Sequence, residues 1–357
     1  MSSLHDKKKV RESSIMSASS IISRPWFGPV AALVLIILGI GVISPDFFNV
    51  RIVDGHLYGS LVDVVHRGAS TALVAVGMAV VIGTRGIDLS VGSVIAISGA
   101  VMAVLIRDTD LHPAVIILAA LGAGLLCGLW NGVLVAFLDI QPIIATLILM
   151  VAGRGIAQMI TGGQIVTFHG AFFEGIGSGY LFGIPWRVII AGFVIGGLYL
   201  IMRKTALGLF VESVGGNARA SRVAGIDARG IKLMAYATAG LCSAVAGIII
   251  AADIRGADAN NAGLWLELDA ILAVVIGGAS LMGGRFFIGM TVIGVLIIQS
   301  LTTGILLSGL PSQYTLIVKA AVVMAVLLVQ APKSRELVSL AWGKIGGKMT
   351  RGKSNEN

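Results

Sequence analysis

Apolar residues fall in blocks near twenty residues long, parted by short polar stretches, along most of the chain. As an α-helix, such a block covers a hydrocarbon core of about 30 Å. The pattern predicts spans at 26–44, 64–84, 87–106, 114–138, 141–161, 186–203, 231–252, 265–282, 286–306 and 312–331. The expected fold is an all-α polytopic membrane protein of about ten transmembrane helices, because a chain in lipid must satisfy its backbone internally. Residues 1–25 are polar and carry Lys7, Lys8, Lys9, Arg11 and Arg24, and residues 333–357 form a second basic tail. These tails are expected to flank a transmembrane domain at 26–332. The block from Trp26 follows basic residues as a signal peptide would, but no small-residue cleavage site ends it and many spans follow. It is read as an uncleaved first span.

Charge orients the spans. The one interior stretch with dense charge runs from Arg203 to Lys232, with Lys204, Arg219, Arg222 and Arg229 against only Glu212 and Asp227. A short basic loop between apolar spans marks the cytoplasmic face. The connections 45–63, 107–113, 162–185, 253–264 and 307–311 are neutral or mildly acidic and are expected outside. Arg85, the 203–232 loop, Arg285 and the tail with Lys333, Arg335, Lys344, Lys348, Arg351 and Lys353 alternate with them, and Asp139 is the exception. Both termini then lie in the cytoplasm.

Composition supports this class. Mean hydropathy is +0.95 and charged residues are 12%, whereas soluble domains carry roughly a quarter. The net charge of +8 sits in the tails and one loop, without the interleaved aromatics of a nucleic-acid surface, so no nucleic-acid partner is expected. Cys127 and Cys242 lie inside apolar blocks and read as packing residues. Glycine accounts for 48 of 357 residues. The spacings Gly124/Gly128/Gly132 and Gly192/Gly196 suit close helix approach in lipid. A faint repeat aligns 86–100 with 265–279, placing Asp88 on Glu267, and suggests a possible internal duplication.

The chain has no GxxxxGK[ST], HExxH or GxSxG, and His5, His56, His66, His112 and His169 show no ligand spacing. No catalytic residue, metal site or cofactor is expected.

The basic loop has an inner pattern. Leu209, Phe210, Val211 and Val214 give a short helix an apolar strip, Gly215-Gly216-Asn217 breaks it, and a second piece runs from Ala218 to Gly225-Ile226. Two readings stay open. Such a helix–turn–helix suits docking into a groove of another protein, and a plain connector would obey the positive-inside rule equally well.

Polar residues within apolar blocks need partners, a cavity or an interface. Asp88 opens the third span in GTRGIDLSVG, either in a broken-helix element lining a pathway or as a partner of Arg85 or a helix cap. Arg154 and Gln158 share a face one turn apart. With Ser90, Asn131, Thr146 and Gln299 they are candidate pathway or gate residues, or interhelical hydrogen bonds. The stretch 253–269 offers Asp253, Arg255, Asp258 and Asn260 as a docking surface for an outside partner, with Glu267 and Asp269 entering the next span as gate candidates.

GTRGIDLSVG at 83–92, Gly215-Gly216-Asn217 with Ala224-Gly225-Ile226, and LDAILAVVIGGASLMGGR at 268–285 together resemble the permeases of sugar-importing ABC transporters of the ribose/xylose/galactose type. The resemblance covers about 26–332, and RGADANNAGLWLELD within 251–286 is similar to the galactofuranose-importing branch. It implies a pore of two permeases (a second copy or a paralogue) in the bacterial inner membrane. ATPase subunits that bind the ATP would lie below it and a periplasmic sugar-binding protein above, with membrane lipid around. It also implies a coupling loop at 205–227, with the family motif on Glu212, Gly215, Asn217, Ala220, Gly225 and Ile226. Glu212-Ser213-Val214 stands where other ABC importers have Glu-Ala-Ala. A proton-coupled carrier titrating Asp88 or Glu267 is the alternative transport reading, and a membrane enzyme or scaffold using 253–269 is the alternative outside transport.

Overall fold

The structure, a computed structural model, describes residues 26–53, 56–309 and 314–330. The expected tails at 1–25 and 333–357 lie outside the described residues, as does part of the 307–311 connection.

Each apolar block becomes a helix. In chain order these are α1 (Phe27–Ile43), α2 (Ser60–Gly83), α3 (Val91–Asp108), α4 (Pro113–Ala136), α5 (Pro142–Thr161), α6 (Ala171–Ser178), α7 (Trp186–Lys204), α8 (Leu207–Val223), α9 (Ala228–Ile254), α10 (Leu266–Ile276), α11 (Ile288–Leu307) and α12 (Thr315–Gln330). Among the described residues seven helices, α2, α3, α4, α5, α7, α9 and α11, are long and apolar enough to cross a membrane. The α6 helix lies within a connection, and α8 is the basic loop.

Two expected spans change shape. The block 265–282 yields only the 11 residues of α10, about 16 Å at 1.5 Å per residue and half a hydrocarbon core. Its end is closed by Ala279 N–H to the Val274 carbonyl and Gly278 N–H to Val275, with Gly278 left-handed at φ +86°. This pairing stops a helix however apolar the residues beyond it. The third span was expected from residue 87, but 84–90 is not helical and α3 starts at Val91. The Thr84 hydroxyl folds back onto the Val81 carbonyl at 2.8 Å and Arg85 is left-handed at φ +67°.

The core is built around α2, whose residues from Gly68 to Gly83 are all buried. The long α9 packs on α2, α3 and α4, and α10 and α11 cover another side of α2. The α4–α9 contact explains one glycine stripe. A side chain at Gly124 would meet the Gly240 carbonyl at 2.8 Å, one at Gly128 would meet Ala237 Cα at 3.1 Å, and one at Gly132 would meet Leu233. Gly192 and Gly196 are different: nothing lies within 4 Å of where their Cβ atoms would be, so that expected packing stripe has no neighbour among the described residues.

The connections sort to two ends. At one end, the loops after Gly83 and around Gly283-Gly284 touch α8, and Arg229 lies over the Phe137 ring beside the Asp139 turn. At the other end, strand β3 (Val166–Thr167) pairs antiparallel with β6 (Gly256–Ala257). Arg187 pairs there with Asp253, and Arg255 Nη1 lies 3.5 Å from Glu174. Two small ribbons, β1 (Arg51–Val53) with β2 (His56–Tyr58) and β4 (Tyr180–Leu181) with β5 (Ile184–Pro185), join through Leu57 N–H to the Gly183 carbonyl. The basic interior loops thus share one end, as the charge alternation predicts.

Candidate coupling helix and mid-depth polar network

The α8 element is two helical pieces. Asn217 breaks it with extended backbone at φ −157°, and its Oδ1 accepts from the N–H groups of Arg219 and Ala220, each at 3.0 Å. The second piece therefore starts with its orphan amides satisfied. It ends on Gly225, left-handed at φ +86°, with Ile226 N–H donating to the Ser221 carbonyl and Gly225 N–H to Arg222. A β-carbon at that angle would be strained. Asp227 then accepts from Arg229 N–H and caps α9.

The first piece is seated by a backbone contact. Val211 and Val214 are buried, whereas Leu209, expected on the same apolar strip, is 64% exposed. Between the strip and the break, Gly215 lies directly on the Gly83 carbonyl, and its missing Cβ would stand 2.6 Å from the Gly284 amide. Gly284 N–H itself donates to Gly83 at 3.1 Å. One residue of α8 thus touches the ends of two elements far apart in sequence, α2 and the turn after α10. Of the expected coupling residues, Gly215 forms this seat, Glu212 is half-buried beside it, Asn217 is the break, and Ala220 and Gly225 are exposed with Ile226 half-buried.

Halfway along the bundle the starts of α3 and α10 meet. Glu267, in the first turn of α10, is buried, and a side chain at Gly92 would strike its Oε2 at 2.6 Å. Ser93, in the first turn of α3, donates to the Leu149 carbonyl at 3.1 Å, midway along α5. The 253–265 segment therefore runs from the end opposite α8 to this depth before α10 begins. Helix N-termini meeting inside a bundle carry partial positive charge, and the Glu267 carboxylate lies across that of α3.

Asp88, Ser90, Asn131 and Thr146 are brought together below this point, all buried. Asp88 Oδ1 accepts from Ser90 N–H at 2.9 Å and Ser90 Oγ at 2.6 Å, and Asn131 Nδ2 donates to Ser90 Oγ at 2.8 Å. Thr146 donates to the Pro142 carbonyl at 3.0 Å and reaches Ile87 at 3.4 Å. Asp88 thus braces the turn before α3 and forms no pair with Arg85, which replaces the ion-pair reading. Arg154 Nη1 donates to the carbonyls of Ala262 at 2.6 Å and Ala259 at 3.1 Å, and Gln158 Nε2 to Asn260 Oδ1 at 2.6 Å. These two hold the descending segment on α5. Gln299 stands apart, half-buried beside Gly68.

The residues at the end opposite α8 are also tied down. Asp258 accepts from Asn261 Nδ2 at 2.7 Å and from the Asn260 and Asn261 amides, and these bonds, the Asn261 side chain first, hold its carboxyl below the usual range. Asp253 and Arg255 are engaged by Arg187 and Glu174 yet stay exposed, as does Asn260, whereas Asp258 is half-buried.

Sequence reasoning missed the residues that act through distant partners. Lys319 of α12, buried, donates to Asp269 at 2.9 Å, and Arg187, also buried, holds Asp253. Gly83 and Gly284 were missed as the seat of α8, although a signal exists. AVVIG occurs at 79–83 and again at 273–277, closing the two helices whose ends bear α8. The gapless repeat had instead set Asp88, three residues before α3, on Glu267 inside the first turn of α10.

A bundle of apolar helices, with two helix starts meeting at mid-depth and a kinked helix seated on its basic end, has the architecture of a membrane permease. The chain belongs to the family described as branched-chain amino acid transport system / permease component, whose profile matches residues 60–327. It is 56% identical over 307 residues to the galactofuranose transporter permease protein YtfT of Escherichia coli K12, covering 86% of this chain and 90% of that one. It is 39% identical over 306 residues to the ribose import permease RbsC of the same strain, covering 85% and 92%. It is 37% identical over 314 residues to the fructose import permease FruF of Bifidobacterium longum, covering 86% and 88%. No solved structure matches the chain. These relatives do not favour the proton-coupled carrier.

Proposed function

We propose that this chain is the permease subunit of an ATP-binding-cassette importer that moves a monosaccharide, with galactofuranose the first choice, from a periplasmic binding protein into the cytoplasm. The choice of sugar rests on the 56% identity to the galactofuranose permease. Ten helices, α1 to α5, α7 and α9 to α12, cross the bacterial inner membrane or contribute to its crossing, with both termini in the cytoplasm. The basic loops gathered at one end support that orientation.

The observation that carries the mechanism is the seat of Gly215 on Gly83 and Gly284. In this reading α8 (with Glu212, Asn217, Ala220, Gly225 and Ile226) docks on separate ATPase subunits, which bind and hydrolyse the ATP. A contact between backbones has no side-chain rotamers to absorb movement. A displacement of α8 therefore reaches α2 and α10 together, and α10 carries it to mid-depth, where Glu267 lies on the start of α3. The 258–260 rim receives the loaded binding protein, and a second permease, copy or paralogue, completes the pore. The sugar is neutral, so hydroxyl-tolerant side chains such as Gln158 and Gln299 suffice along its path. Arg154 and the network of Asp88, Ser90, Asn131 and Thr146 hold the elements that move, and Asp269 does so through Lys319.

The test is uptake into proteoliposomes holding this permease and its ATPase, with sugar-loaded binding protein outside and ATP inside. Galactofuranose uptake that needs both partners and survives a protonophore is the expected result. Uptake without ATP or binding protein would overturn the importer reading, and transport of ribose but not galactofuranose would overturn the choice of sugar.

A further inference from the structure

A groove of about 480 Å³ opens beside α8 at the basic end, between the last turn of α7, the first piece of α8 and the 286–290 segment. It is unrelated to the mid-depth network. Its walls combine three kinds of surface. Trp26 and Tyr199 supply amphipathic rings, Phe287 and Met290 supply an apolar floor, and Arg203 and Glu212 supply one charge of each sign. Trp and Tyr are enriched at the level of lipid headgroups, where one edge of the ring is wet and the other is in hydrocarbon. Arg203 lies in the last turn of α7, one of the helices long enough to cross the membrane, so the groove sits at the depth where a span leaves the hydrocarbon.

The two charges are the informative part. Arg203 and Glu212 line one cavity, yet neither makes an ion pair or side-chain hydrogen bond with the other or with any described residue. A purely anionic ligand would satisfy Arg203 and be repelled by Glu212. A purely cationic one would do the reverse. A ligand with a phosphate and a primary ammonium a few bonds apart satisfies both, the guanidinium binding phosphate oxygens and the carboxylate accepting ammonium N–H bonds.

We propose that the groove is a binding site for the headgroup of an amine-bearing zwitterionic phospholipid of the phosphatidylethanolamine class, with the start of its acyl chains over Phe287 and Met290. The lipid then lies against the face of α8 that carries Glu212, where its presence stiffens the seat of that helix. This goes beyond the importer reading and does not depend on which sugar is carried.

The test is native mass spectrometry of the full-length permease in detergent, titrated in turn with phosphatidylethanolamine, phosphatidylcholine and phosphatidylglycerol. Phosphatidylethanolamine is expected to bind about tenfold more tightly than phosphatidylcholine, whose quaternary ammonium offers no N–H to Glu212. Glu212→Ala is expected to abolish that preference, and Arg203→Gln to weaken binding of both lipids alike, while each variant keeps the wild-type unfolding temperature. A photoactivatable phosphatidylethanolamine on the wild-type protein provides a second reading that needs no variant, with label expected on peptides containing Tyr199 or 286–290. Equal affinity for the three lipids, a preference for phosphatidylglycerol, or label spread over the outer faces of the bundle would each overturn the proposal. Because no transport is measured, failure here leaves the importer reading intact, and failure of transport leaves this site intact.

Discussion

Gly284 donates its N–H to the carbonyl of Gly83 at 3.1 Å, joining the turn after α10 to the end of α2. Gly215 of α8 lies over that bond with no side chain between. Three glycines from three elements therefore meet at one point, and any movement of α8 along its own axis is felt there.

The helix break in α8 sets the angle between its two pieces. Replacing Asn217 with Ala removes the acceptor of two amides, a loss of about 1 kcal/mol. Amide exchange over Arg219–Val223 is expected to quicken about fivefold, while Asn217→Asp, which keeps the acceptor, stays near wild type. Equal exchange in the Ala variant would mean that the cap contributes nothing.

The glycine stripe of α4 separates two kinds of glycine. A methyl group at Gly128 meets the α9 backbone at Ala237, and Gly128→Ala is expected to lower stability in detergent by about 1–3 kcal/mol. Gly192→Ala and Gly196→Ala meet nothing, and helix propensity gives them at most about 1 kcal/mol of stabilisation. Thermal unfolding of the three variants decides the point, and a uniform response would contradict the packing.

Lys319 and Asp269 form a pair at 2.9 Å, with side chains 11% and 26% exposed. Lys319→Met leaves the carboxylate unpaired at a cost of about 2–3 kcal/mol, at or below the low end for buried pairs because Asp269 is partly exposed. The double variant Lys319→Met with Asp269→Leu is expected to recover most of that loss. If the single variant unfolds with the wild type, the pair does not hold α12 on α10.

Much of the helical layout is legible in the sequence because lipid demands long apolar blocks, and composition alone reports them. The break at Asn217 is legible too, since caps and glycines act within a few residues. What is not legible depends on partners far along the chain. α10 stops after 11 residues because Gly278 turns left-handed, in a stretch as apolar as the true spans. Lys319 reads as an interruption of a span until α10 brings Asp269 beside it. Gly192 and Gly128 have the same local spacing, and only the course of α9 tells them apart.

Asp258 gives the outer rim a pH response. Its hydrogen bonds, the Asn261 side chain first, hold its carboxyl below the ordinary aspartate range, so the turn they hold is intact above the unfolded pKa and is lost as pH falls through the lower folded one. Trp265 fluorescence is expected to hold steady from neutral pH down to about that value and to change below it. In Asp258→Asn the change is expected to vanish. A transition near pH 6 in the wild type would point to another group.

The proposed drive runs from α8 into the bundle through Gly215. The most direct measurement is ATPase activity of the permease–ATPase complex in proteoliposomes, with and without sugar-loaded binding protein, comparing Gly215→Ala with Gly216→Ala. A methyl at Gly215 collides with the Gly83 carbonyl, while one at Gly216 meets nothing within 4 Å. Gly215→Ala is expected to assemble but to lose at least about tenfold of the stimulation by loaded binding protein, a cost of about 1.4 kcal/mol in coupling, and Gly216→Ala to keep it. Full stimulation in Gly215→Ala would contradict the account.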